Sequence, residues 1–131
     1  MIFLADGLEP DLQFVHEADV ATLFSLLIEK KIPGAFNVSG DGVIKISEIA
    51  AMIGKRTQKI PKKLYALLIR LLWRLHVKSV EAPAGSIDYT AYPWVLDTTR
   101  AKNELGWQPR YDSRQTLQIM LRTHGYRTRS I

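Results

Sequence analysis

The sequence predicts a mixed, helix-rich α/β fold, and three observations lead to this class. Two short β-favouring runs, at residues 12–16 and 35–38, flank a stretch whose apolar residues recur at helical spacing. Three further stretches, near residues 47–54, 62–76 and 113–122, have the composition and spacing of helices. The chain has 131 residues, 47% of them hydrophobic, which is enough for one domain with a sizeable core.

The first helix lies between the two strand-like runs. Its apolar positions are Val20, Leu23, Phe24, Leu27 and Ile28. Asp19 lies in its first turn, where a carboxylate suits the helix dipole, and Pro33 and Gly34 break the chain after it. A strand, a helix and a strand with tight connections predict one right-handed βαβ unit. Because a parallel sheet of two strands is rarely stable alone, we expect this unit to complete a larger sheet.

The second and last helices have recognisable ends. The tetrapeptide SGDG at residues 39–42 predicts a plain turn, since it lacks the further glycine and the Lys-Ser/Thr pair of phosphate-binding loops. Ser47 is the expected N-cap of the helix that follows, and Gly54 is expected at its C-terminal end. The last helix runs from Ser113 to about Arg122.

The stretch at residues 62–76, which follows Pro61, predicts an unusually apolar helix. At about 100° per residue, Lys63, Arg70 and Arg74 form a narrow stripe, and apolar side chains cover most of the remaining circumference. Such a helix is expected to be buried on more than one side. A partner, an absent domain or a membrane interface would each supply that burial.

Composition and charge exclude several classes of protein. The chain has no cysteine, which excludes disulfides and cysteine chemistry and leaves a cytoplasmic location as the default. The net charge of +5 is concentrated in residues 54–63 and 122–130, and solvated basic faces are the simplest interpretation of both runs. No nucleic-acid-binding signature is present, so no nucleic acid is expected as a partner. We also find no targeting segment and no transmembrane segment in the sequence.

Local motifs provide no catalytic constellation. The three histidines, His16, His76 and His124, are scattered without metal-ligand spacing, so no metal site is expected. His16 ends an apolar run, where a hydrogen-bonded structural imidazole is the expected role. No serine lies in a G-x-S-x-G motif.

The stretch DTTRAKNELGWQP, at residues 97–109, predicts a short helix with a well-defined C-terminus. Asp97, Thr98 or Thr99 can supply its N-cap, and Gly106 is the expected left-handed terminator. Trp107 is expected to fold back onto the last turns of the helix. The stretch therefore indicates a stop signal rather than a catalytic site.

Three ordered blocks of sequence resemble the C-terminal part of NAD(P)-dependent epimerase/dehydratase proteins, the extended short-chain dehydrogenase/reductase family. The pattern F-V-H-x-x-D-V-A is matched by Phe14, Val15, His16, Asp19, Val20 and Ala21. The pattern F-N-V-x-G is matched by Phe36, Asn37, Val38 and Gly40. The pattern D-x-x-[RK]-x-x-x-E-L-G-W-x-P is matched by Asp97, Arg100, Glu104, Leu105, Gly106, Trp107 and Pro109.

The resemblance implies the C-terminal fragment of a Rossmann-type oxidoreductase. Residues 12–46 would be the sheet-completing βαβ piece and residues 47–123 the helical substrate-binding lobe, between a leader at 1–11 and a basic tail at 124–131. The family's G-x-x-G-x-x-G loop and catalytic Y-x-x-x-K are both absent from the sequence. The resemblance therefore implies no cofactor-binding or catalytic residue in this chain, NAD(P) in the full-length parent, and no turnover by the isolated chain.

The same resemblance directs attention to four residues as substrate contacts. They are Tyr89, Tyr92, Trp94 and Arg100. The alternative interpretation is packing unrelated to a pocket for the three aromatic rings and a solvated cation for Arg100. Family members that act on nucleotide-sugars often have an arginine two residues before the F-V-H phenylalanine, and this chain has Leu12 there. The expected partners are a missing N-terminal Rossmann region and a small-molecule substrate. One alternative is a non-enzymatic module that uses the apolar helix at 62–76 to bind a partner or to self-associate. Another is binding to an anionic surface through Lys62, Lys63, Arg70 and Arg74.

Overall fold

The computed structural model describes residues 1–77, 85 and 92–126, which form five helices and one parallel sheet of two strands. In chain order the elements are β1 (Ile2–Ala5), α1 (Glu17–Lys30), α2 (Ile46–Met52), β2 (Thr57–Ile60), α3 (Lys62–Arg74), α4 (Thr99–Leu105) and α5 (Ser113–Thr123). The expected mixed, helix-rich α/β class is therefore confirmed for the described residues. The positions of the strands differ from the prediction.

The parallel sheet pairs two segments that were not expected to be strands. β1 and β2 align from Ile2 opposite Thr57 to Ala5 opposite Ile60. β1 falls in the segment expected to be a leader, and β2 falls in the first basic run. The carboxylate of Asp6, directly after β1, accepts the N–H of Lys62 at 2.8 Å. This contact ties the sheet to the start of α3.

The strand predicted at residues 12–16 does not form, although its first residue is paired. Leu12 makes one antiparallel bridge with Ile44 and one parallel bridge with Trp94. The N–H of Phe14 donates to a serine hydroxyl of α5 at 3.2 Å, and its carbonyl accepts the N–H of Gly40 at 2.9 Å. The prediction was wrong because the hydrogen bonds of this segment go to several separate parts of the chain and not to one strand partner.

The strand predicted at residues 35–38 is also wrong, and the expected βαβ unit is therefore not formed. The carbonyl of Ala35 accepts a hydrogen bond from Arg100 at 3.0 Å. The side chain of Asn37 donates to the carbonyl of Asp97 at 3.0 Å. Contacts with the distant α4 region thus hold this segment, which pairs with no strand among the described residues.

The helices follow the sequence prediction more closely. α1 and α5 lie where expected, and α5 has the expected start, with Asp112 as its N-cap accepting from the N–H of Gln115 at 2.7 Å. The N-cap of α2 is Lys45 and not Ser47. The hydroxyl of Ser47 donates instead to the carboxylate of Glu9 at 2.8 Å. Ser47 is the second residue of α2 and therefore lies past the N-cap position.

Two small hydrophobic clusters form the core. The first, between α1 and α4, consists of Leu23, Ala101, Leu105 and Trp107. The second, between α2 and α5, consists of Ile44, Met52, Leu117 and Leu121. Gly106 ends α4 with a φ of 64°, and the Trp107 side chain that follows is buried. The predicted terminator and the predicted return of the tryptophan are both confirmed.

α3 has no buried residue. The cover that the sequence predicted for it is therefore not supplied by the described residues, and its source stays a prediction. Within the described ranges, no helix is long and apolar enough to cross a membrane.

Candidate functional site

Asp19 is the centre of a hydrogen-bonded joint between two of the family-like blocks. Its carboxylate is buried and accepts the N–H groups of Arg110 at 2.9 Å and Tyr111 at 3.2 Å. Its carbonyl accepts the indole N–H of Trp107 at 3.0 Å. The aspartate of the first block therefore holds the segment that follows α4 in place. Its carboxylate oxygens have a structural role, because they accept backbone N–H groups of that segment.

The second block joins the same region through a close backbone approach. A methyl group added at Gly40 would lie 2.5 Å from the carbonyl oxygen of Phe14 and 2.9 Å from that of Tyr111. Only glycine fits such an approach without a backbone shift. Beside it, the buried Ser113 hydroxyl donates to the carbonyl of Gly42 at 2.9 Å. The three blocks thus meet in one tightly packed region.

His16 has the structural role expected from the sequence. Its Nδ1 accepts the N–H of Ala18 at 3.1 Å, which makes the imidazole the N-cap of α1. Its ring also packs against Tyr111, with ring centroids 4.4 Å apart. Among the described residues, no group of three or more His, Asp or Glu side chains could hold a metal ion.

Arg100, a predicted substrate contact, has several partners within the chain. Its Nε and Nη2 donate to the two carboxylate oxygens of Glu104 at 2.9 and 3.2 Å. Its Nη1 donates to the carbonyl of Ala35, and its Cζ lies 4.3 Å from the ring centroid of Phe36. The hydrogen bond with Glu104 raises the pKa of Arg100 above its ordinary value. These contacts pin α4 to the segment before it, so a ligand would have to compete with Glu104.

The aromatic candidates are separated by the structure. Tyr89 lies outside the described residues. Tyr92 is exposed and does not line the cleft that contains Trp94. The backbone of Trp94 is fixed, since its N–H donates to the carbonyl of Asp11 at 2.8 Å and its carbonyl accepts from Gln13 at 3.2 Å. Trp94 is therefore the aromatic residue that the fold positions at a concave surface.

The cleft beside Trp94 has a volume of about 390 Å³. It is lined by Gln13, Val15, Val38, Ser39, Pro93, Trp94, Val95 and Leu96. These described lining residues include no charged side chain, so the cleft suits an uncharged group better than a phosphate. The side-chain oxygen of Gln13 accepts the N–H of Leu96 at 2.8 Å. This hydrogen bond joins two segments that line the cleft, the one that contains Gln13 and the one that contains Leu96.

Sequence reasoning missed Gln13 as a part of this cleft. A polar residue inside the apolar run LQFVH was the available signal. Leu12, which occupies the position of the family's nucleotide-sugar arginine, packs against the cluster between α2 and α5. Its side chain is therefore used in the core.

A second cleft, of about 350 Å³, lies between the segment before α1 and the C-terminal half of α5. His16, Glu17 and His124 are among its lining residues, together with Thr116. The Thr116 hydroxyl is buried and has no hydrogen-bond partner among the described residues. This cleft was not expected from the sequence, because it is formed by residues about a hundred positions apart.

Comparison with known proteins finds three uncharacterized mycobacterial relatives, two from Mycobacterium tuberculosis strains and one from Mycobacterium bovis. Each is 27% identical over 119 residues, which cover 91% of this chain and 31% of the relative. The chain thus spans about a third of the length of these curated relatives. No family model matches the sequence, and no solved structure is similar to it. The function is therefore argued from the residues and their geometry.

Proposed function

We propose that this chain is the C-terminal, substrate-binding part of an NAD(P)-dependent oxidoreductase of the sugar-nucleotide epimerase/dehydratase type. The observation that carries the proposal is the joint of the three family-like blocks. Asp19, Gly40 and Trp107 come from different blocks, and each makes a contact that its residue type alone satisfies well. Motifs matched by chance have no reason to meet in one packed region.

The proposal divides the chemistry between this chain and a preceding region. In the parent enzyme, a glycine-rich loop would bind NAD(P), and a tyrosine and lysine would move protons during hydride transfer. Neither motif is in this sequence, so this chain contributes substrate contacts and no cofactor contacts. Its two-stranded sheet is also smaller than an independent parallel sheet normally is.

The cleft beside Trp94 is the proposed substrate contact. An exposed indole at a concave surface, on a backbone held by two hydrogen bonds, can stack on a sugar ring, and the Gln13 amide adds hydrogen-bonding capacity at the wall. The uncharged lining favours the ring portion of a substrate over its phosphates. We therefore place sugar-ring recognition, and no diphosphate recognition, in this part of the chain.

Ring recognition is tested by saturation-transfer NMR with a methyl glucoside as the probe. We expect transfer from the wild-type chain, loss of transfer in Trp94→Ala, and retention in Tyr92→Ala. Tyr92 is the matched control because it is an exposed aromatic residue two positions away, outside the cleft. Equal transfer in Trp94→Ala and Tyr92→Ala would contradict the assignment of the cleft.

The family role is tested by the coding DNA directly upstream of this sequence. The proposal expects an in-frame β-strand pattern followed by G-x-x-G-x-x-G, and later Y-x-x-x-K. An upstream region without either motif would contradict the oxidoreductase role.

A further inference from the structure

α3 presents a continuous face of five leucines to solvent. The residues are Leu64, Leu67, Leu68, Leu71 and Leu75, the last of which is the C-cap, and each is between 41% and 64% exposed. At about 100° per residue they occupy an arc of roughly 100°. We call this arc the leucine face. Exposed apolar residues scattered singly are normal, but a contiguous group of this kind marks an interaction surface.

The other side of α3 is less exposed. Tyr65, Ala66, Ile69 and Leu72 are half-buried and lie away from the leucine face on the helix circumference, although Trp73 on that side is 46% exposed. The leucine face points outward and is available to something outside the described residues.

The charged side chains of the sequence within and just before α3 are all positive. Residues 54–77 contain seven of the eighteen Lys and Arg residues and none of the thirteen Asp and Glu residues. Lys63, Arg70 and Arg74 are exposed and form a stripe along one border of the leucine face. The occupant of this surface must therefore accept leucine side chains and present negative charge beside them.

An anionic lipid surface meets both requirements better than a protein does. The fully buried cores of protein interfaces are depleted of charged residues, although arginine is enriched in interfaces as a whole. Helices that lie in a membrane interface combine an apolar face with Lys and Arg, which interact with anionic headgroups. α3 is about 20 Å long at 1.5 Å per residue, which is too short to span a bilayer but sufficient to lie on one.

We propose that α3 docks this chain onto an anionic lipid surface. The leucine face enters the boundary between headgroups and acyl chains, and Lys63, Arg70 and Arg74 lie at the level of the lipid phosphates. This role is independent of the proposed enzymatic function, since no residue of α3 lines the cleft beside Trp94.

Vesicle co-sedimentation of the 131-residue chain tests the proposal. We expect the chain to sediment with vesicles of phosphatidylcholine containing ~30% phosphatidylglycerol and to remain in solution with pure phosphatidylcholine. Added salt should release it, because the screening length falls from about 10 Å at 0.1 M to about 3 Å at 1 M. Failure to sediment, or equal binding to both vesicles, would overturn the proposal.

A double variant tests the leucine face. Leu67→Gln with Leu71→Gln should lower the partition coefficient more than about tenfold, since two apolar anchors are lost. Phe24→Gln with Ile28→Gln is the matched control, because these residues are an exposed apolar pair at the same spacing on α1. The control should stay within about twofold of wild type. Far-ultraviolet circular dichroism should show all variants folded, since every substituted side chain is exposed.

A second pair of variants tests the charge. Arg70→Gln with Arg74→Gln should weaken binding to anionic vesicles about 25-fold, or about fivefold for each charge. Lys30→Gln with Lys31→Gln, at the end of α1, removes the same charge elsewhere and should have a much smaller effect. Equal effects of the two pairs would refute a local role for the α3 cations.

Light scattering separates lipid docking from self-association. A dimer that dissociates in the Leu67→Gln, Leu71→Gln variant and does not bind vesicles would overturn the proposal. That result would assign the leucine face to a second copy of the chain.

Discussion

Replacing Asp19 with alanine should destabilise the chain strongly, although the residue lies in the first turn of a surface helix. Its carboxylate accepts two backbone N–H groups, from Arg110 and Tyr111, and is 3% exposed. A hydrogen bond to a charged group contributes about 1.5 kcal/mol at the low end of its range, so two contribute about 3 kcal/mol. This loss is a large fraction of the free energy of unfolding of a typical domain, which is roughly 5 to 15 kcal/mol.

Urea denaturation followed by circular dichroism measures this loss. Glu17→Ala is the matched control, because Glu17 is an exposed carboxylate in the same first turn. It should cost about 0.5 kcal/mol through the helix dipole alone. Asp19→Asn keeps one acceptor oxygen and should fall between the two. Equal stability of Asp19→Ala and Glu17→Ala would contradict a stabilising role for the hydrogen bonds from Arg110 and Tyr111 to Asp19.

Three further predictions follow from local geometry. Gly40→Ala should cost about 3 kcal/mol in the free energy of unfolding, because the new methyl meets two backbone oxygens. Gly42→Ala, where nothing lies within 4 Å and φ is 72°, should cost only about 1 kcal/mol. Arg100→Gln should change stability by less than about 1 kcal/mol in the same urea experiment, since its ion pair with Glu104 is half-exposed. Hydrogen bonds from the side chain and, to a smaller extent, from the backbone of Thr99 lower the pKa of Asp97. The ionised Asp97 therefore stabilises the fold at any pH above its pKa in the unfolded chain, and this stabilisation is lost as the pH falls through its lower pKa in the folded chain. NMR titration of the Asp97 carboxyl should show that low midpoint and its rise in Thr99→Ala; an unchanged midpoint would contradict the hydrogen bond as the cause.

The helices could be predicted from the sequence because their signals are local. Apolar spacing located α1, α3 and α5, and Gly106 ended α4 with the expected left-handed conformation. The fold-back of Trp107 was also predictable, because a large apolar residue after such a terminator packs on the preceding turns. These features depend on residues within a few positions of one another.

The strands could not be predicted in the same way because pairing is not local. β1 and β2 are four residues each, and Ile2 pairs with Thr57. In the β-favouring run at 12–16, the N–H of Phe14 donates to the Ser113 hydroxyl and not to a neighbouring strand. A β-favouring composition shows that a segment can extend, but the partner decides whether it becomes a strand.

The candidate site was predictable only in part. Trp94 was selected from the sequence and lies in a cleft, whereas Gln13 was found only from the structure. Arg100 was selected for its charge, but that charge has Glu104 as a partner within the same helix. The i and i+4 spacing of this pair was visible in the sequence and was the signal for a structural role.

If the proposed oxidoreductase role is correct, the cofactor-binding residues of the enzyme precede this chain. The most direct test is calorimetric titration of NAD⁺ and NADP⁺ into the 131-residue chain and into the longest in-frame product that contains it. We expect binding by the longer product and none by the 131-residue chain. Tight binding by the 131-residue chain, or no binding by the longer product, would contradict it.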